Sequence, residues 1–229
     1  MLALIHSPIV GPSTWSLVAA ELERRRINAL VPTLEDDDEV RAPYWEQHAR
    51  SAASGLGEVG AGRPILVAHS GAGPLLPPIG EKVGGARAYV FVDAGLPEPN
   101  TSRLEQLAAE LPDAAKVLGD LLAAGERYPN WSDEELRDEI PDPGLRRRVL
   151  AELRPRPARF YQEPIPVPRG WPDGPCGYLQ LSAAYERPAA WARERGWDCR
   201  RLDGTHFQML VDPGGVVEAI LDLVAAVST

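Results

Sequence analysis

Cysteine is scarce in this chain: its 229 residues include two, Cys176 and Cys199, too few for a disulfide framework or a thiolate metal cluster. Long apolar runs are also missing, and none approaches the roughly 20 residues that would span a bilayer. The N-terminus lacks the charged-then-apolar pattern of a signal peptide, since strand-like residues begin at Leu2. Together these absences predict a reduced, cytoplasmic protein without membrane partners. An excess of positive charge is absent too. The net charge of −9 and a pI near 5.0 argue against a nucleic-acid or anionic-membrane surface, and the Arg-rich stretch 146–159 reads as a solvated helix face. No internal repeat or low-complexity linker divides the chain. At 44% hydrophobic it can bury one substantial core, so one domain with an insertion is expected rather than two domains.

What is present is organised around Ala68-His69-Ser70-Gly71-Ala72-Gly73. The segment follows the apolar run Pro64–Val67, a buried strand, and precedes Pro74-Leu75-Leu76, which can open a helix. A serine between small residues at a strand-to-helix turn is the context of a nucleophile elbow. Small neighbours let the backbone close sharply and hold Oγ clear of the sheet, near helix-start N–H groups that meet developing negative charge.

Further strands are expected at Leu2–Ile5, Asn28–Val31, Ala88–Val92, Tyr178–Ser182 and Cys199–Leu202. Helices are expected from Ser13 or Thr14 to Arg25, over Ala42–Leu56 with His48 on its surface, over Arg187–Arg195 and over Pro213–Val227. A turn at Gly60–Gly62 leads into the Ser70 strand, and Pro77 and Pro78 should cut or kink the helix after the elbow. This alternation predicts an α/β fold: a mostly parallel sheet of about six strands, covered by helices on both faces. Ligands then lie beyond the carboxyl ends of the strands, where His6, Ser70 and Asp93 all fall. Residues 1–97 and 176–229 form the core. Between them, 98–175 contains no evident strand and carries helical patterns at Ser102–Leu111, Ala114–Ala124 and Ser132–Ile140, the last with a Ser132/Glu135 capping box. It reads as a helical lid inserted after the fourth strand, with Trp131, Phe160 and Tyr161 either as pocket walls or as glue to the body.

A second chemical signal is Asp203-Gly204-Thr205-His206-Phe207, between the last strand and the last helix. A hydroxyl nucleophile needs a base that titrates near neutrality, and an imidazole at the same sheet edge supplies one. Of the other histidines, His69 belongs structurally to the elbow and His6 is expected to fix the first loop.

Taken together, these motifs resemble the α/β-hydrolase fold superfamily, closest in layout to small esterases and hydroxynitrile lyases. His6-Ser7-Pro8-Ile9-Val10-Gly11-Pro12-Ser13-Thr14-Trp15 is similar to the first-loop motif, Ala68–Gly73 to the elbow, and Gly204-Thr205-His206 to the histidine loop. The resemblance implies Ser70 as nucleophile, His206 as base, oxyanion donors from Gly71 and the first loop, and no metal or organic cofactor. Two positions depart from the pattern. Pro8, where the family donates an N–H, has none, so the donor role passes to Ser7 Oγ or to a shifted N–H such as that of Ile9. The acid usually placed after the Tyr178–Ser182 strand is missing, which leaves Asp93 as the favoured candidate and Glu186 as its alternative. The expected activity is hydrolysis of a small uncharged ester, thioester or related carbonyl substrate by a monomer or homodimer. The alternatives are a non-hydrolytic lyase or cyclase using the same site, or a ligand-binding protein that has lost its chemistry.

Overall fold

Side-chain alternation sorts the strands onto two cores. In β1 (Leu2–Ile5) the side chains of Leu2 and Leu4 join Val67 and Val90 on one face, while Ala3 and Ile5 join Leu66 and Phe91 on the other. That period of two, with every residue of β1 buried, marks a strand covered on both sides. The computed structural model describes residues 1–57 and 62–226. Gly60 and Ala61 of the expected Gly60–Gly62 turn, and Val227 at the end of the expected last helix, lie outside the described residues.

The main sheet is parallel and six-stranded, in the order β2 (Ala29–Leu30), β1, β3 (Ile65–Ser70), β4 (Ala88–Ala94), β7 (Cys176–Gln180), β8 (Asp198–Arg201). Helices α1 (Ser16–Arg24) and α9 (Pro213–Ala226) cover one face through Val18, Leu22, Val216, Val217 and Ile220. Helices α2 (Tyr44–Leu56), α3 (Leu76–Lys82) and α8 (Glu186–Glu194) cover the other. The expected α/β architecture is therefore present. Among the described residues no helix is long and apolar enough to cross a membrane.

Pro77 and Pro78 do not break α3, which Leu76 opens directly after a 3₁₀ turn at Gly73–Leu75. Both fall in its first turn, where the missing N–H groups would have had no helical partner, so the rings cost no hydrogen bond.

The segment between β4 and β7 holds α4 (Arg103–Glu110), α5 (Pro112–Ala123), α6 (Pro143–Ala151) and α7 (Ala158–Gln162). Contrary to the sequence reading, it also contains strand: β5 (Thr101–Ser102) pairs antiparallel with β6 (Pro164–Ile165) and ties its two ends together. Two-residue strands carry too little periodicity to be read from sequence. Ser132 and Glu135 do bond each other reciprocally, yet 133–139 forms a run of overlapping turns rather than the expected helix. Tertiary partners claim its polar groups: the Asp133 carboxylate goes to Arg146, and the Glu139 carbonyl accepts from Thr205 Oγ1 at 2.9 Å.

Two further expectations are corrected. The Arg-rich stretch is not simply a solvated face, because Arg146 and Arg156 are buried. Arg156 donates to the Pro8 carbonyl through Nε at 3.2 Å and Nη2 at 2.7 Å, and pairs with the buried carboxylate of Asp36. His48 is fully buried instead of exposed, with Nε2 2.9 Å from Asp36 Oδ2. Burial pushes the His48 imidazole down to about 4. Burial alone would raise the Asp36 carboxyl, but hydrogen bonds from His48 and Arg156 bring it down to about 2.

Candidate active site

Ser70 ends β3 with φ +58°, a left-handed conformation that a side chain adopts only at a cost. The β3–β4 register shifts between His69 and Ser70, which turns Oγ out of the sheet. Close packing forces the small neighbours: a side chain on Gly73 would collide with the Gly95 carbonyl, and one on Gly71 would approach Ser7 Oγ to 3.1 Å. The smallness seen in the sequence is thus a steric requirement of the turn.

His206 follows β8 and is oriented by three groups. Its Nδ1 lies 3.1 Å from Asp93 Oδ2, its carbonyl accepts from His69 Nε2 at 2.9 Å, and its N–H donates to Glu139 Oε2 at 2.9 Å. Since a carbonyl can only accept, His69 carries its proton on Nε2. Burial, followed by the neighbouring His206, holds His69 well below the usual histidine value. Asp93 is fully buried at φ +41°, and its carboxylate also accepts from the N–H groups of Leu181 and Ser182 and from Ser182 Oγ. Glu186 lies elsewhere. Its exposed carboxylate, at the start of α8, pairs with Arg193 and Arg201 and accepts from Gln180.

The first loop flanks Ser70 from the β1 side. His6 is buried and accepts the Leu34 N–H at Nε2, 3.2 Å away, while Nδ1 lies 2.9 Å from the Ser7 carbonyl. Burial pushes its pKa down to about 4, so it braces the loop as a neutral ring. The Ser7 carbonyl accepts the Val10 N–H at 3.1 Å. The N–H groups of Gly71 and Ile9 have no hydrogen-bond partner among the described residues, and both residues line the cavity above Ser70.

That cavity, about 820 Å³, lies between the sheet edge and the segment joining β4 to β7. Ser7, Ser70, Gly71 and His206 line it below; Leu107, Leu118, Trp131, Phe160 and Tyr161 line it from the inserted segment. The wall is mostly apolar, as small-molecule sites are. Phe160 and Tyr161 also pack with Tyr44, Leu118 and Leu122 in a separate buried cluster. Arg103 stacks 4.1 Å above the Phe160 ring centre, and burial pulls its pKa down to about 10.

Sequence reading missed Tyr185, Ser182 and Glu110. Ser70 Oγ is hydrogen-bonded to the Tyr185 hydroxyl at 3.3 Å rather than to His206, and the Tyr185 ring lies flat on the imidazole at 4.9 Å with 2° between the planes. The one available signal was position, directly after the strand that usually carries the acid. Glu110 lines the cavity with a buried Oε1 that has no partner; burial pushes its carboxyl up to about 7, opposed by Gln106 and Arg187. Between the ordinary value of 4.5 and about 7, the folded protein keeps a proton that the unfolded chain has released, so stability falls as pH rises through this window. Glu110→Gln is therefore expected to raise the melting temperature at about pH 8 and to leave it unchanged at about pH 4. Equal shifts at both pH values would show that the carboxyl does not titrate in that window.

No protein-family model and no curated protein matches this sequence, but the fold has many solved counterparts. An extracellular α/β-hydrolase from a Paenibacillus species, described as sharing structural and functional homology with tobacco salicylic acid binding protein 2, superposes with a TM-score of 0.76 at 18% identity. The alignment covers 97% of this chain and 99% of that one. Tomato methylketone synthase I complexed with 2-tridecanone gives 0.72 at 14% identity, over 99% and 98% of the two chains. A pyrethroid hydrolase from Sphingobium faniae JZ-2 gives 0.66 at 18%, over 98% and 97%. The chain has the α/β-hydrolase fold, and its structural neighbours include esterases and other hydrolases.

Proposed function

We propose that this protein is a serine-type esterase acting on a small, largely apolar carbonyl substrate beneath a lid formed by residues 98–175. The observation that carries the reading is that Ser70 and His206 lie together on the floor of one apolar cavity, with the buried Asp93 behind the imidazole at 3.1 Å from Nδ1. Asp93 holds the proton of His206 on Nδ1, which leaves Nε2 free to take the Ser70 proton as Oγ attacks the carbonyl. The acyl-enzyme is then hydrolysed by water, with the same histidine as base. Pro8 contributes no N–H, so the oxyanion falls to the Gly71 N–H, supported by Ser7 Oγ or the unpartnered Ile9 N–H. Apo sites often hold their catalytic hydrogen bonds long or misaligned, so the Ser70–Tyr185 contact is compatible with transfer to His206 once substrate binds.

The direct test is covalent. A set of phosphonyl and sulfonyl fluorides of graded size should modify Ser70, with mass spectrometry locating the adduct on the peptide containing it, and Ser70→Ala should abolish the label. Folded protein that stays unmodified with every reagent would favour the second reading, a lyase or cyclase in which Ser70 and His206 move protons without a covalent intermediate. Pro8 is the specific feature on that side, since proton-transfer chemistry makes less demand on a two-donor oxyanion site.

A further inference from the structure

The strand order puts the two flanks of Ser70 to different uses. Ser7 follows β1 on one side of β3; Tyr185 and His206 follow β7 and β8 on the other. A carbonyl attacked by Ser70 with its oxygen against Gly71 and Ser7 therefore directs its leaving group toward Tyr185 and His206. The Tyr185 hydroxyl is already within hydrogen-bonding reach of the attacking atom, at 3.3 Å from Oγ. Its ring is fixed flat against the imidazole, so the hydroxyl cannot swing away without breaking the stack. Tyr185 also lines the cavity itself.

We infer that Tyr185 is a further catalytic residue, donating a hydrogen bond to the leaving-group oxygen beside His206, and that the substrate class is oxygen esters of unactivated alcohols; this rests on the serine-esterase reading. In the acylation step the Ser70 Oγ–acyl bond forms and the hydroxyl proton passes to His206 Nε2. On collapse the bond from the acyl carbon to the alcohol oxygen breaks, and the same proton moves from His206 to that oxygen. Tyr185 donates its O–H to the departing oxygen throughout and keeps its proton. Burial raises the phenol above its ordinary value, with Asp93 and Glu110 adding to the rise against the hydrogen bond with Ser70, so the group remains a donor at neutral and mildly alkaline pH. An alkoxide gains most from such a donor. A nitrophenolate spreads its charge and gains little, and thioester sulfur is a weak acceptor.

The experiment compares intact wild-type protein with Tyr185→Phe, which keeps the stacked ring and removes only the hydroxyl. The probes are hexanoate esters of alcohols graded from nitrophenol to simple aliphatic alcohols, with one matched hexanoate thioester. The expected kcat/KM loss is about 10- to 100-fold for aliphatic-alcohol esters, the range of a hydrogen bond to a charged group. It should be under about threefold for the nitrophenyl ester and the thioester, so the dependence of rate on leaving-group acidity steepens. Tyr185→Leu should add a further loss common to every probe, because the imidazole then loses its stacking surface. An unaltered leaving-group dependence in Tyr185→Phe, whether from no loss or from an equal loss on all probes, overturns the inference while Ser70 still labels with phosphonyl fluoride. Failure of wild-type Ser70 to label removes the esterase reading itself, and this inference with it.

Discussion

Asp93→Asn is expected to lower turnover by up to about 10⁴-fold while the protein still folds. The reason lies in which proton each carboxylate oxygen meets. Oδ1 accepts backbone N–H groups from Leu181 and Ser182, and Oδ2 accepts from Ser182 and faces His206 Nδ1. With the amide oxygen at the Oδ1 position, the backbone contacts survive and the amide N–H₂ faces the imidazole. The ring then presents Nδ1 as acceptor and carries its proton on Nε2, the wrong tautomer to deprotonate Ser70. Glu186→Gln should leave turnover nearly unchanged, because that carboxylate is engaged with surface arginines. Steady-state rates and melting curves on both variants decide the acid. An inactive Glu186→Gln beside an active Asp93→Asn would reverse the assignment.

Arg156→Met is expected to destabilise the fold by about 3–5 kcal/mol, the usual result of removing one partner from a buried ion pair. For a chain of this size that is a fall of roughly 10 °C or more in melting temperature. The Arg156 side chain is 4% exposed and that of Asp36 3%, so the carboxylate, left with the His48 imidazole and a more distant Arg154, cannot recover its loss from water. The Pro8 carbonyl loses both its donors in the same step, which loosens the first loop beside Ser70. Adding Asp36→Asn should restore a substantial part of the stability, since the buried charge is then gone. Denaturant midpoints of the two single variants and the double variant measure this coupling. Strict additivity would mean that the pair does not interact.

The chemistry-bearing positions are legible because each rests on a local rule. A serine between small residues after an apolar strand marks a strained strand-to-helix turn. The placing of a histidine after the last strand and an aspartate at the end of the fourth on one side follows from the one-directional running of parallel strands, which brings all carboxyl ends to one edge. The inserted segment was much less legible. Its 132–140 turns satisfy a helix-start pattern, yet Asp133 and Glu139 bond to Arg146, Thr205 and His206 instead of supporting a helix. His48 and Arg156 look like surface residues by composition. Their burial depends on Asp36, 12 and 120 residues away respectively, and no window of sequence contains that information.

Sequence alone determined the alternating α/β order, the two-faced burial of the central strands and the sheet edge on which Ser70, Asp93 and His206 fall, because periodicity and turn chemistry act over a few residues. Tertiary structure alone decided which carboxylate faces His206, that Tyr185 reaches Ser70 across 115 residues, and that Glu110 stands in the cavity with an unpartnered oxygen. Those outcomes depend on how strands and the inserted helices pack against one another, where shape and desolvation outweigh any local preference.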